Sequence, residues 1–154
     1  MSHKWVILEL KTLWLDGNKL SEIPSLGHLL KLETIRLSEN NFKIIESLSF
    51  SDMNQLRHLY LNDLKHLVAI EESAFKNLPK LSDLDISGSK KLKFIHQNAF
   101  NNVPRLQFLN LAGNGLLSMS SNIPNSLPAL KLLSLHHVSL PTVFYYHKLY
   151  FRIN

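Results

Sequence analysis

The chain has 154 residues, 45% of them hydrophobic, with 17 Lys and Arg scattered against 12 Asp and Glu for a net charge of +5. That length suits about one domain, and that apolar share excludes a disordered chain. The lack of any Cys excludes a disulfide scaffold, a thiolate zinc site and a thiol nucleophile.

At the start of the chain, Met1 to Lys4 is followed by only a short apolar stretch, Trp5 to Leu8, before Glu9. A secretory core needs roughly 7–15 apolar residues, so this stretch does not read as an export signal. Nor does any apolar run approach the roughly 18 residues that span a bilayer. Ile7 precedes Leu10 as Leu78 precedes Leu81, so residues 1–9 read as the remnant of a preceding repeat.

From there a unit Leu-x-x-Leu-x-Leu recurs, with Ile allowed for Leu. It occurs at Leu10-Leu13-Leu15, Leu32-Ile35-Leu37, Leu56-Leu59-Leu61, Leu81-Leu84-Ile86, Leu106-Leu109-Leu111 and Leu130-Leu133-Leu135. The spacings are 22, 24, 25, 25 and 24 residues, a near-constant period that chance does not give. Asn18, Asn40 and Asn114 each follow the last strand Leu by three positions. There an Asn side chain can hydrogen-bond the backbone of the turn. Ser89 stands at that position in the fourth unit and can partly replace Asn. Leu64 in the third unit cannot, and Val138 leaves the last turn in doubt. The third and fourth units also carry one extra residue here, which reads as a bulged turn. Phe50, Phe75 and Phe100 recur six residues before the next unit and should form an internal spine.

This unit is identified as the leucine-rich repeat. Each Leu-x-Leu is a short strand, and neighbouring strands stack in parallel about 4.8 Å apart. One repeat cannot bury its apolar side alone, so stacking completes the core. The expected fold is an α/β-type solenoid, a horseshoe with about six parallel strands on its concave face. Loops or short helical turns should form the convex face. The array spans 10–140, with repeats starting near 10, 32, 56, 81, 106 and 130. Residues 141–154 form a divergent tail rich in aromatics, either a strand over the last repeat or unrelated sequence.

Alternation along each strand sends three columns of side chains outward. The first holds His58, Asp83, Phe108 and Leu132, the second Trp14, Arg36, Tyr60 and Asp85, and the third begins with Asp16 and Ser38. Trp, Tyr and Arg are the types most enriched at binding hot spots. The Trp14–Arg36–Tyr60 row is therefore the candidate centre of a protein-binding face, with Asp83 and Asp85 as a negative patch beside it. Other readings fit the residues less well. The His residues lack the spacing of a metal site. Asp83 and Asp85 should point into open solvent, where nothing prepares them for catalysis. Lys90, Lys91 and Lys93 read as a solvated loop without a nucleic-acid motif. No catalytic residue, cofactor or metal is expected.

The closure Ala-Phe-x-x-Leu-Pro-x-Leu and the period resemble the extracellular class of leucine-rich repeat proteins. Residues 56–119 are similar to the final repeats of neuronal leucine-rich repeat membrane proteins, in their two lengthened turns and in Phe94 to Phe100. That family continues into a Cys-rich cap, which Ser134 to Pro141 here does not resemble. The resemblance implies a piece of a cell-surface recognition or adhesion receptor, on the outer face of the plasma membrane, with a protein ligand on the concave face. An intracellular scaffold remains the alternative, since no Asn-x-Ser/Thr acceptor occurs, and so does a truncated product without its own function. Both ends read as uncapped, which would favour self-association.

Overall fold

A computed structural model describes residues 9–138, 140 and, for the backbone, 151–152. The proposed remnant at 1–9 lies outside these except for Glu9, as does most of the tail. The first repeat contributes β1 (Thr12–Trp14). The second holds β2 (Thr34–Arg36), β3 (Ile44–Ile45) and β4 (Phe50–Ser51). The third holds β5 (His58–Tyr60), β6 (Ala69–Ile70) and β7 (Phe75–Lys76). The fourth holds β8 (Asp83–Asp85), β9 (Phe94–Ile95) and β10 (Phe100–Asn101). The fifth has β11 (Phe108–Asn110) and the one-turn α1 (Asn122–Asn125). The sixth has β12 (Leu132–Ser134), and β13 (Phe151–Arg152) follows in the tail.

The concave sheet runs β1-β2-β5-β8-β11-β12-β13, all parallel. Its register pairs Leu13 with Ile35, Leu59, Leu84, Leu109 and Leu133, so the central Leu of every repeat lies in one inward row. From Ile35 onward that row is buried. The solenoid and the six concave strands of its repeats are those expected from the sequence, and β13 adds a seventh.

The opposite side differs from the loops or helical turns expected there. Two further three-stranded parallel ladders, β3-β6-β9 and β4-β7-β10, run along the array. Both ladders stop after the fourth repeat. In the fifth repeat the Phe position of the second ladder is Pro124, and the one-turn α1 takes its place. Beneath it lies the expected spine. Phe50 and Phe75 stack at 5.7 Å with rings 7° apart, and Phe75 and Phe100 at 5.2 Å and 12°.

Each concave strand ends in a left-handed residue two positions after its last inward Leu or Ile. The six are Gly17, Glu39, Asp63, Gly88, Gly113 and His137, all with φ between 56° and 76°. The last turn, beside Val138, thus passes through a left-handed residue as the others do. The two lengthened turns are β-turns rather than bulges. The Leu67 N–H donates to the Leu64 carbonyl at 3.1 Å, and Leu92 to Ser89 at 2.9 Å. Lys65-His66 and Lys90-Lys91 occupy their central positions.

The turn side chains form a buried ladder between repeats. Asn40 donates through Nδ2 to the Leu15 and Leu37 carbonyls, both at 2.9 Å, and accepts the Leu20 N–H at 3.1 Å. Asn114 donates to the Ile86 and Leu111 carbonyls at 2.8 Å and accepts the Ser89 N–H at 2.8 Å. Ser89 Oγ accepts the Leu64 N–H at 3.1 Å. The third repeat, which lost its own Asn, thus has its turn amide satisfied by the fourth. Leu64 fills the vacated space and is fully buried. Asn18 makes only the local bonds to the Leu15 and Asp16 carbonyls and is exposed.

Candidate functional site

The candidate face follows from strand geometry. The register pairs Trp14, Arg36, Tyr60, Asp85, Asn110 and Ser134 in one outward row, and Thr12, Thr34, His58, Asp83, Phe108 and Leu132 in another. Because Leu-x-Leu puts the intervening residue inside, both rows are forced onto the concave surface.

At the N-terminal side of this face, Arg36 lies between two rings. Its guanidinium carbon is 5.9 Å from the Trp14 ring centre and 5.2 Å from that of Tyr60. Rings offer their negative faces to a cation at such distances. Arg36 Nε also meets Asp16 Oδ2 at 2.6 Å. The Asp16 hydrogen bond first, and then its charge, raises the Arg36 pKa above its already high ordinary value, so the cation persists at any physiological pH. Asp16 is itself held, accepting the Ser38 N–H on Oδ1 at 2.9 Å. Ser38 Oγ in turn donates to Asn62 Oδ1 at 2.6 Å. The row of three predicted residues is thus brought together and braced from the third column. Trp14 remains 71% exposed.

Asp83 and Asp85 differ from the open carboxylates expected. Both are half-buried and engaged. Asp83 Oδ2 meets His58 Nδ1 at 3.1 Å and accepts from the Ser82 hydroxyl. Asp85 Oδ1 accepts the Ser87 N–H at 2.9 Å and its hydroxyl at 2.6 Å, and Oδ2 accepts from Asn110 Nδ2 at 3.1 Å. The physical reason is the parallel register, which sets a donor on the same or the next strand beside each acid. Between the acids and the C-terminal side lies a shallow depression of about 280 Å³, floored by Phe108 and Leu132. Phe108 and Leu132 are 42% and 41% exposed.

Asp16, the brace on Arg36, and Leu132, the wall beside Phe108, are the site residues that the sequence reading placed in columns without singling out. The spacing held the signal: Asp16 lies two positions beyond Trp14, within reach of a long side chain on the next strand. Among the described residues, no three His, Asp or Glu side chains are grouped as a metal site. No described helix is long and apolar enough to cross a membrane.

Comparison with known proteins follows the same lines. The Leucine rich repeat family matches residues 9–64 and 63–116, and a second Leucine Rich Repeat description matches 105–130. No curated protein matches the sequence. Among solved structures, human 5T4 (Wnt-activated inhibitory factor 1, trophoblast glycoprotein) superposes with a TM-score of 0.62 at 21% identity. The match covers 84% of this chain and 60% of that one, so the chain spans only part of its neighbour's length. Toll from Drosophila, in its complex with Spatzle, matches at a TM-score of 0.46 and 16% identity, over 88% of this chain and 25% of Toll. With the family matched across most of the chain and the repeat geometry present in each turn, the protein belongs to the leucine-rich repeat family.

Proposed function

We propose that the concave sheet is a non-catalytic binding surface for a protein ligand, and that the chain is part of a cell-surface recognition or adhesion receptor. The observation that carries this reading is the Trp14–Arg36–Tyr60 row. Its cation is held between two rings and anchored by Asp16, so the row loses little side-chain freedom on binding. An exposed indole beside a braced guanidinium is the chemistry of an interface anchor. Asp83, Asp85, His58 and Phe108 extend the surface toward the C-terminal strands. The receptor setting rests on the repeat style, with its stacked Phe spine, and on the similarity of residues 56–119 to neuronal leucine-rich repeat membrane proteins. It implies that the native product displays this face outside the cell.

The test is to probe an array of purified cell-surface and secreted ectodomains with the chain, then remeasure any partner with Trp14→Ala and Tyr60→Ala. An anchor should cost about 2 kcal/mol, or roughly thirtyfold in Kd. Affinity unchanged in both variants would reject the concave assignment. Surface labelling of cells expressing the full-length native product tests the location, and a product confined to the cytoplasm would reject it.

A further inference from the structure

The charges are not evenly spread along the chain. All 12 acidic residues lie at or before Asp85, while residues 86–154 carry seven Lys and Arg and no acid. In space the imbalance concentrates on one flank, between the concave turns and β9. Lys90 and Lys91 sit at the apex of the β-turn closed by Leu92 and Ser89. Lys65 and His66 occupy the same apex one repeat earlier. Lys93 follows on the same edge, its ammonium lying over Gly115 of the next repeat, where a side chain would collide with it. These lysines are exposed, and among the described residues none is ion-paired.

Apolar side chains interleave with them. Backbone hydrogen bonds align Lys43, Val68 and Lys93 across three repeats, from Val68 N–H to Lys43 at 2.9 Å and from Lys93 N–H to Val68 at 3.1 Å. The next row aligns Ile44, Ala69 and Phe94. Phe94 is 53% exposed and Leu117, beyond Lys93, is 58%. The Phe94 ring packs edge-on against His96 at 6.2 Å, which holds it against the surface.

We propose that this flank is a second binding surface, distinct from the concave face, for an acidic protein segment that also carries apolar side chains. Charge complementarity gives the sign of the partner, since Lys90, Lys91 and Lys93, unpaired and within the acid-free residues 86–154, attract carboxylates and repel a basic surface. The interleaved Phe94, Val68 and Leu117 give its class. A sulfated glycan is held chiefly by its charges, to which the ring adds little, and single-stranded nucleic acid is held by successive stacking rings, whereas among the described residues Phe94 is the one Phe, Tyr or Trp of this flank.

The probe is a labelled synthetic peptide alternating Glu with Phe and Leu, followed by fluorescence anisotropy against the full chain. Poly-glutamate, heparin, oligo-dT and phosphatidylserine vesicles are run in parallel. The peptide should bind more tightly than poly-glutamate, and more weakly as salt rises. The double variant Lys90→Glu/Lys91→Glu should weaken it roughly tenfold and Phe94→Ala roughly fivefold, with melting temperatures unchanged. Lys31→Glu, at a lysine already paired with Glu9, should leave it as in the wild type. Absence of peptide binding overturns the proposal. So does heparin or oligo-dT binding tighter than the peptide with Phe94→Ala neutral, which would make the flank a bare anion surface. Vesicle binding that exceeds peptide binding and is lost in the same variants overturns it in favour of a membrane.

Discussion

At the scale of single residues, one backbone requirement is met by unlike side chains. The left-handed position after each concave strand is Gly in three repeats but Glu39, Asp63 and His137 in the others. Asp and His are among the residues that visit this region more readily, whereas Glu39 gains no such relief. Glu39→Gly should therefore raise stability by about 0.5–1 kcal/mol, measured by urea denaturation. Gly113→Ala should lower it by a comparable amount. No neighbour lies closer than 3.6 Å to the added methyl there, so a loss measures the backbone conformation alone. The buried turn amides offer a sharper contrast. Asn114→Ala removes two donated bonds and one accepted bond and leaves buried groups unpaired, which should cost roughly 1–3 kcal/mol. Asn18→Ala, at an exposed side chain, should cost well under that. These Asn positions could be read from sequence because their spacing repeats. The rescue of Leu64 by Ser89 could not, because the two residues lie in different repeats and meet only once the turns stack.

At the scale of elements, the concave strands were legible and the convex ladders were not. Leu-x-Leu alternation marks a strand buried on one side, and six copies at a steady period fix their parallel order. Ile44–Ile45 and Phe50–Ser51 are too short to show any period of their own. They become strands only because the same pair recurs one repeat on, offering a partner at ladder distance. The Phe spine ties these pieces to the core, and its centre is held from both sides. Phe75 stacks on Phe50 and on Phe100, whereas each outer ring has one such partner. Phe75→Ala should thus cost the most of the three, roughly 3–5 kcal/mol, with Phe50→Ala and Phe100→Ala less by about the value of one ring pair, near 1 kcal/mol. Equal losses at all three positions in denaturant melts would show that the stacking itself contributes nothing.

At the scale of the whole molecule, the two surfaces differ in character. The concave face carries its charges in satisfied groups, with Asp16 on Arg36 and Asp83 on His58. The flank carries its lysines unpaired. The rows of the concave face were readable from alternation alone, but the braces within it and the grouping of Lys90, Lys91 and Lys93 beside Phe94 were not. Both depend on which residues of neighbouring repeats face each other, and a total charge of +5 conceals an acid-free half.

The stacked turns also give the array a direction. Leu20 is satisfied by Asn40, Leu64 by Ser89 and Ser89 by Asn114, so at these three turns the acceptor comes from the repeat that follows. A chain emerging from the ribosome therefore finishes such a turn only when the next one has been made. Cutting after residue 105 would uncover the Ser89 amide and take away its acceptor, whereas cutting before residue 32 would leave Asn40 its Leu37 carbonyl but remove its Leu15 and Leu20 partners. Shortening from either end therefore removes acceptors of different kinds: an early stop takes the Asn114 side chain from the Ser89 amide, and a late start takes backbone carbonyls from the Glu33, Thr34 and Asn41 amides.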